Sequence, residues 1–119
     1  MDEMMLVYTT WPDAETAQAA GIAAVEAGLA ACANILGPIQ SIYRWEGEMQ
    51  QQTELAMLLK TRAALAEPLK AMILARHPYS TPCVIGLPVS REGSNAGFLS
   101  WIEEQTMSDA RQMPAGPDN

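Results

Sequence analysis

The segment from Ala31 to Thr61 alternates with a period of two on both sides of a short turn at Gly47. Two such runs joined by a short glycine-containing turn are typical of a β-hairpin. Each arm extends over roughly a dozen residues, whereas an ordinary strand has about 5–6. This excess length is the feature that most constrains the fold, because an isolated two-stranded ribbon is only marginally stable in water.

The two halves of the hairpin differ in composition. The C-terminal half is apolar on both faces from Leu55 to Leu59, which predicts a central strand covered on both sides. The turn half carries Tyr43, Trp45 and Met49 among glutamines and glutamates. A chain of 119 residues has few other elements to cover it, and natural proteins avoid exposed apolar ribbons with unpaired edges. We therefore predict that other copies of the chain cover the distal hairpin; the alternative is a ribbon standing free in solvent.

The rest of the chain supplies helices and strands in an order that predicts the fold. Asp13 is an N-cap for a helix that ends before Gly28, and Gly37-Pro38 predicts a bend or bulge in the first hairpin arm. The order is β-α-β-β-α-β plus one C-terminal helix, an α+β, ferredoxin-like arrangement with two helices on one face of an antiparallel sheet. The predicted elements outside the hairpin are a strand over 4–10, a helix over 14–27, a helix over 63–76, a strand over 83–89 and a helix over 96–106. Pro68 is tolerated only in a first turn, so the proper start of the second helix is predicted near Leu65.

We predict a single domain over residues 1–107 and a disordered tail over residues 108–119, because the tail has no periodic pattern. Lys and Arg total 7 against 14 Asp and Glu, for a formal net charge of −7. This balance argues against nucleic acid and anionic membranes as partners, since both favour a basic face. The sequence has no apolar run long enough to span a bilayer and no export signal, and its two cysteines form no C-x-x-C pair, so we expect a cytoplasmic protein.

Short motifs occur in a defined order along most of this sequence. They read L-V-Y-T-T-x-P, L-A-A-C-x-N-I, S-I-Y-R-W-E-G, L-x-K-T, H-P-Y-x-x-P, L-P-V and F-L-S-W-I, and they span about Leu6 to Glu103. Together they resemble the CutA family, the divalent-cation tolerance proteins. The resemblance implies a cytoplasmic homotrimer whose long hairpins pack between ferredoxin-like subunits, with an architecture similar to PII-type signalling proteins. It also implies an association with tolerance to copper and other divalent ions, and no established enzymatic reaction.

Four residues are candidates for a ligand-binding cleft between subunits. The W-E-G, K-T and H-P-Y segments are characteristic of the family, and the residues they supply here are Trp45, Lys60, His77 and Tyr79. Lys60 also stands in an otherwise apolar strand, where an ammonium group is costly unless it is paired. The alternative is that Trp45 packs a subunit interface together with Tyr43, and that Lys60 pairs with a hairpin glutamate or a chain terminus.

Metal donors are few and scattered in this sequence. Cys32, Cys83 and His77 show none of the local spacings of common metal sites. We name Cys83 and His77 as the candidate metal ligands, with packing or helix capping as the alternative role. The resemblance argues against a specific metal site, because two usual donor positions are changed. Family members often carry cysteine where Thr9 and Thr10 stand, and usually glutamate at the position of Cys83. We therefore expect no specific structural metal site and no firm cofactor, while weak binding of Cu or another divalent ion stays compatible with the remaining donors.

Three functions are compatible with these observations. The first, which we favour, is a non-enzymatic regulatory trimer linked to divalent metal ions, with its own copies, a small-molecule ligand or a divalent ion as partners. The second is a structural trimer that presents its surface to another protein. The third is an enzyme that uses Cys83 as nucleophile with His77 and Lys60, although the sequence contains no catalytic motif.

Overall fold

The computed structural model describes residues 3–107, so the predicted disordered tail over 108–119 lies outside the described residues. In this part of the chain no helix has the length and apolar character needed to cross a bilayer. The elements are β1 Met4–Trp11, α1 Ala14–Glu26, β2 Cys32–Trp45, β3 Glu48–Arg62, a 3₁₀ helix Ala63–Leu65, α2 Ala66–Arg76, β4 Val84–Pro88 and α3 Ala96–Glu104.

The strands form one antiparallel sheet in the order β2-β3-β1-β4. This order confirms the predicted ferredoxin-like α+β arrangement. α1 and α2 pack on one face of the sheet, which we call the helix face, around buried Leu59, Leu69 and Ile73. We call the opposite face the open face. β3 lies between β2 and β1, the central position that the apolar run from Leu55 to Leu59 predicts.

α1 packs on the sheet through small residues. Asp13 is its N-cap, and Asp13 Oδ1 accepts a hydrogen bond of 2.8 Å from the backbone N–H of Thr16. A Cβ on Gly21 would lie 3.1 Å from Met57 Sδ, so glycine permits the close approach of helix and sheet. Ile22, on the other side of α1, is 61% exposed. The buried residues of α1 are Ala17, Ala20, Gly21 and Ala24.

The hairpin closes through a tight turn at Glu46 and Gly47. Both residues have positive φ, 51° and 82°, a combination that matches a type I′ turn and the right-handed twist of the hairpin arms. The register of β2 against β3 shifts between Ile35 and Gly37, and Gly37 has a φ of 97°. The bulge predicted at Gly37-Pro38 is therefore confirmed.

Beyond the reach of β1 the hairpin is a two-stranded ribbon. β1 pairs with β3 from Leu55 to Arg62, so residues 48–54 of β3 pair with β2 alone. We call residues 39–54 the distal ribbon. Its side chains Ile42, Trp45 and Met49 are 64%, 53% and 60% exposed. Residues 3–107 of one chain therefore do not supply the apolar cover that such a ribbon needs.

α3 covers one end of the open face. A small buried cluster joins it there to the sheet and to the segment before β2, and its members are Met4, Ala31, Leu99 and Ile102. Farther along the open face, β4 presents apolar side chains to solvent, with Ile85 52% and Leu87 43% exposed. The open face is thus only partly covered within one chain.

Several element boundaries differ from the predictions by one to three residues. α2 begins at Ala66 after the 3₁₀ helix, close to the start near Leu65 that Pro68 predicts, and Pro68 lies in the first turn, where its missing N–H costs nothing. β4 is shorter than predicted and spans Val84–Pro88. α3 ends at Glu104, two residues early, and the hydroxyl of Thr106 donates a hydrogen bond of 2.9 Å to Ile102 O at this end.

Candidate functional site

An open pocket of about 430 Å³ lies on the open face, where the distal ribbon meets the loop between α2 and β4. We call it the Glu54 pocket. Strand register explains its composition: Tyr43 pairs with Gln50 and Trp45 pairs with Glu48, so these rings lie on the same sheet face as Glu54. The lining residues are Thr10, Tyr43, Trp45, Gln52, Glu54, Tyr79, Ser80, Thr81 and Cys83.

A directed series of hydrogen bonds crosses the pocket. The Tyr43 hydroxyl donates to Gln52 Oε1 over 2.7 Å, and Gln52 Nε2 donates to the Tyr79 hydroxyl oxygen over 3.1 Å. The Tyr79 hydroxyl then donates to Glu54 Oε2 over 3.3 Å. An ionised carboxylate can only accept, so Glu54 sets the direction of every step in the series. The network joins the distal ribbon to the loop before β4 across 27 residues of sequence.

Glu54 is the buried charge of this pocket. It is 7% exposed, and the ion pair found within residues 3–107, between Lys70 and Glu67, does not involve it. Its charge acts on the ionisable groups beside it. Burial, followed by the charge of Glu54, raises the pKa of Tyr79 above its ordinary value.

Cys83 faces the same environment. Burial raises the pKa of its thiol above the ordinary value, and the charge of Glu54 adds to that rise, while a hydrogen bond with Thr10 opposes it. The thiol is therefore protonated at neutral pH. A nucleophile or a metal ligand needs the thiolate, so this environment disfavours both roles for Cys83.

His77 lies behind the pocket wall and positions Tyr79. The imidazole Nδ1 accepts a hydrogen bond of 3.2 Å from the Tyr79 backbone N–H, and Nε2 lies 2.7 Å from Thr10 O. Because a backbone N–H can only donate, Nδ1 is unprotonated and Nε2 carries the hydrogen that Thr10 O accepts. The buried ring also stacks on Trp11, with centroids 4.3 Å apart. This placement matches the packing role considered from the sequence.

Cys83 and His77, the two predicted metal ligands, are not part of a larger cluster of metal donors in the described residues. Residues 3–107 contain no group of three or more His, Cys, Asp and Glu side chains that could hold an ion. Coordination by His77 would also require breaking one of its two hydrogen bonds. Metal binding by Cys83 and His77 stays a prediction, and the contacts of these two side chains do not favour it.

Lys60 lies apart from the other predicted ligand residues. It pairs with Cys32 and Leu6 in the sheet, and its Nζ lies 5.2 Å from the centroid of the Phe98 ring. Within residues 3–107 it forms no ion pair with a hairpin glutamate. Of the four predicted residues, Trp45 and Tyr79 therefore line the Glu54 pocket and His77 supports it. Lys60 could join this pocket only from another copy of the chain.

The sequence model of the family described as CutA1 divalent ion tolerance protein matches residues 5–105. The chain belongs to this family.

Individual relatives agree with the family assignment. The divalent-cation tolerance protein CutA of Thermus thermophilus is 42% identical over 106 residues, which cover 89% of this chain and 99% of that protein. The match to the chloroplastic protein CutA of Arabidopsis thaliana is 38% identical and covers 86% of this chain but only 55% of that protein, so the chain spans about half the length of this relative. The crystal structure of CutA1 from Oryza sativa has a TM-score of 0.86 at 34% identity, covering 91% of this chain and 97% of that one.

In this CutA1 family member, sequence reasoning did not name all the pocket residues. The sequence predicts Tyr43 only as an interface residue and Glu54 only as one of the hairpin glutamates open to an ion pair with Lys60, and it predicts no role for Gln52. The hairpin register carried a usable signal, because residues at diagonal positions on one face, such as Tyr43 and Gln52, can contact each other. The contribution of Tyr79 from a distant loop had no such local signal.

Proposed function

We propose that this protein is a non-enzymatic homotrimer of the divalent ion tolerance family that binds a small ligand in the Glu54 pocket. In this proposal the protein is cytoplasmic, and ligand binding at the border between subunits reports a cellular state, as in PII-type signalling proteins. Copper is the ion that the family resemblance suggests for the tolerance function. A direct metal site in this chain is the weaker part of the proposal, because Cys83 is held as a thiol and both His77 nitrogens are engaged.

The Glu54 pocket is the observation that carries the ligand proposal. Its volume of about 430 Å³ lies within the range of about 300–1,000 Å³ typical of small-molecule sites. It combines aromatic walls with a few convergent polar groups, which is the usual composition of such sites. The hydrogen-bonded series from Tyr43 to Glu54 also holds these groups in place before a ligand arrives.

The uncovered apolar surface supports self-association. The distal ribbon exposes Ile42, Trp45 and Met49, and the open face exposes Ile85 and Leu87. Large exposed apolar side chains of this kind mark an interaction site in a soluble protein. A further copy of the chain supplies a matching apolar ribbon, and the family resemblance suggests that three copies close the assembly. Because the Glu54 pocket adjoins the distal ribbon, assembly would place it near a subunit border.

Native mass spectrometry of gently purified protein tests both parts of this proposal. We expect a mass near three times the chain mass of 12.9 kDa, plus a small ligand that is lost on denaturation. A Tyr43→Ala, Trp45→Ala double variant should dissociate or lose stability if these rings anchor the subunit contact. A compact monomer at micromolar concentration, or a double variant of unchanged mass and stability, would contradict the assembly.

The metal part of the proposal has a separate test. Calorimetric titration of the wild-type protein and of Cys83→Ser with Cu²⁺ and Zn²⁺ measures whether the thiol contributes to binding. Because the pKa of Cys83 is raised, we expect closely similar titrations for the two proteins. A loss of binding in Cys83→Ser would show that Cys83 is a ligand and would restore the metal site to the proposal.

The exposed hairpin tip favours one second candidate function. Trp45 and Met49 lie beside the turn and are more than half exposed, as expected of a surface that binds another protein. In that case the trimer would act as a scaffold and the Glu54 pocket would be structural. Protein purified without any bound ligand, together with partner binding that Glu54→Gln leaves unchanged, would favour this scaffold function.

A further inference from the structure

We propose that the Glu54 pocket binds the alkylammonium group of a small organic cation. This inference rests on the function proposed above, in which the same pocket is the ligand site, and it adds the chemical class of the ligand. The acceptor of the ammonium group is the Glu54 carboxylate, and the walls around it are the rings of Tyr43, Trp45 and Tyr79.

Glu54 is buried and has few partners in the described part of the chain. The side chain is 7% exposed, and within residues 3–107 it accepts a long hydrogen bond of 3.3 Å from the Tyr79 hydroxyl. No Lys or Arg within residues 3–107 forms an ion pair with it. A buried charge is costly unless it is paired and hydrogen-bonded, and here one neutral hydroxyl meets it. A ligand that brings a positive charge to Glu54 therefore gains more than a neutral ligand does.

The walls of the Glu54 pocket are aromatic. Tyr43, Trp45 and Tyr79 all line the pocket. Aromatic rings attract cations through the negative potential of their faces, and sites that combine several rings with a carboxylate recognise ammonium groups. The Tyr79 and Tyr43 hydroxyls are already used in the hydrogen-bond series, so the rings remain as the main contact surface for a ligand.

The lining of the pocket disfavours anions and metal ions as ligands. An anion would meet the Glu54 charge, and no Lys or Arg lines the pocket to offset it. A metal ion would find only two of its usual donors among the lining residues, Glu54 and Cys83, and residues 3–107 contain no cluster of three such donors. An organic cation needs a single carboxylate and apolar walls, and the pocket supplies both.

Calorimetry with a matched pair of probes tests this inference on the full chain. Benzylammonium chloride and benzyl alcohol share the aromatic ring and differ in the ammonium group. We expect the wild-type protein to bind benzylammonium at least tenfold more tightly than benzyl alcohol. Equal affinities for the two probes would overturn the inference.

Three variants link the preference to Glu54. Glu54→Gln should remove the tenfold preference while keeping the binding of benzyl alcohol, which shows that the pocket is still folded. Glu48→Gln is the matched control, because Glu48 belongs to the same strand and face but does not line the pocket. Glu54→Asp retains the carboxylate and should retain the preference, which keeps the test decisive if the amide variant is unstable. A preference that survives Glu54→Gln, or is lost equally in Glu48→Gln, would overturn the inference.

An ammonium group could also come from Lys60 of a neighbouring copy. If it did, Lys60→Met would vacate the pocket and raise the affinity for benzylammonium tenfold or more. We expect no such rise. If it were observed, the occupant of the pocket would be the Lys60 side chain of a neighbouring copy and not a free small molecule, which would overturn the inference. Likewise, ZnCl₂ that displaces benzylammonium in the wild type but not in Cys83→Ser would assign the pocket to a metal ion.

The outcomes separate this inference from the proposed function. If benzyl alcohol binds but the cation preference is absent, the pocket remains a ligand site and only the ligand class is wrong. If neither probe binds and neither changes the tryptophan fluorescence, both the ligand class and the ligand site are wrong. A trimer mass that persists in either case leaves the assembly intact.

Discussion

Replacing Tyr79 by Phe removes the hydroxyl that joins Gln52 to Glu54, and it should destabilise the protein measurably. The hydroxyl accepts one hydrogen bond of 3.1 Å and donates another of 3.3 Å. A hydrogen bond to a charged group contributes about 1.5–3 kcal/mol and a neutral one about 0.5–1.5 kcal/mol. The bond to Glu54 is long and Tyr79 is only half-buried, so we take the lower ends of both ranges and expect a loss of about 2 kcal/mol.

Tyr8→Phe is the matched control for this change. Tyr8 is half-buried on the open face, and its hydroxyl makes no hydrogen bond within residues 3–107, so the same atom is removed without a lost partner. We expect its effect to stay within about 0.5 kcal/mol. Urea unfolding at one fixed protein concentration measures both variants, because self-association makes the midpoint depend on concentration. With a slope of about 2 kcal/mol per molar urea, Tyr79→Phe should lower the midpoint by about 1 M.

A double-mutant cycle with Glu54→Gln shows whether the effect passes through the carboxylate. We expect a coupling energy of about 1 kcal/mol between the two sites, since they share one hydrogen bond. The raised pKa of Tyr79 adds a check: the neutral phenol is favoured in the folded state, so this stability is full below the ordinary pKa of 10.0 and is lost as the pH rises through the folded-state pKa. Tyr79→Phe should lack that alkaline loss. A variant no less stable than Tyr8→Phe, or a coupling energy of zero, would refute the pocket network.

Three further predictions concern the scaffold that holds the pocket. Hydrogen bonds from the first turn of α1 hold the pKa of Asp13 below its ordinary value of 3.8, so Asp13→Ala should lower the melting temperature at pH 7. The difference should shrink as the pH falls below 3.8 through the folded-state pKa, and a series of melts from pH 7 downward measures it. Gly47→Ala should cost about 1 kcal/mol in urea unfolding, because φ is +82° there, whereas Gly93→Ala, without a positive φ, should be near neutral. Leu59→Ala should cost about 2–5 kcal/mol because Leu59 is fully buried under the helices, whereas Leu74→Ala, at a site 45% exposed, should cost far less in the same assay.

Each of these predictions has an opposite outcome that counts against its reasoning. A pH-independent effect of Asp13→Ala would mean that the carboxylate does not act as the cap. Equal effects at the two glycines would remove the argument from the turn geometry. Similar losses at the two leucines would show that their burial differs from that in the described fold.

Much of the fold follows from local patterns in the sequence. Period-two alternation and the tight turn at Gly47 predict the hairpin, because side chains alternate between faces of a strand and a positive φ favours glycine. The capping of α1 by Asp13 and the bulge near Gly37 follow in the same way from chemistry within a few residues. These features need no knowledge of the rest of the chain.

The candidate site was only partly predictable. Trp45 and Tyr79 were named from the sequence and line the Glu54 pocket, and His77 was named and supports it from behind. Lys60 was named as well but lies near Phe98, away from the pocket in one chain. The position of Lys60 in the strand was predictable, whereas its contact with Phe98 depends on where α3 packs.

The sequence by itself determined the strands, the helices, their order and the length of the hairpin, because these depend on interactions between residues close together in the chain. Only the tertiary structure decided that Gln52 meets Tyr79, that Glu54 is buried beside Cys83, and that Ile22 of α1 is exposed. Each of these contacts depends on strand register, on the bulge and on the path of a distant loop. They arise from the packing of the whole chain at once, and no local pattern of residues encodes that packing.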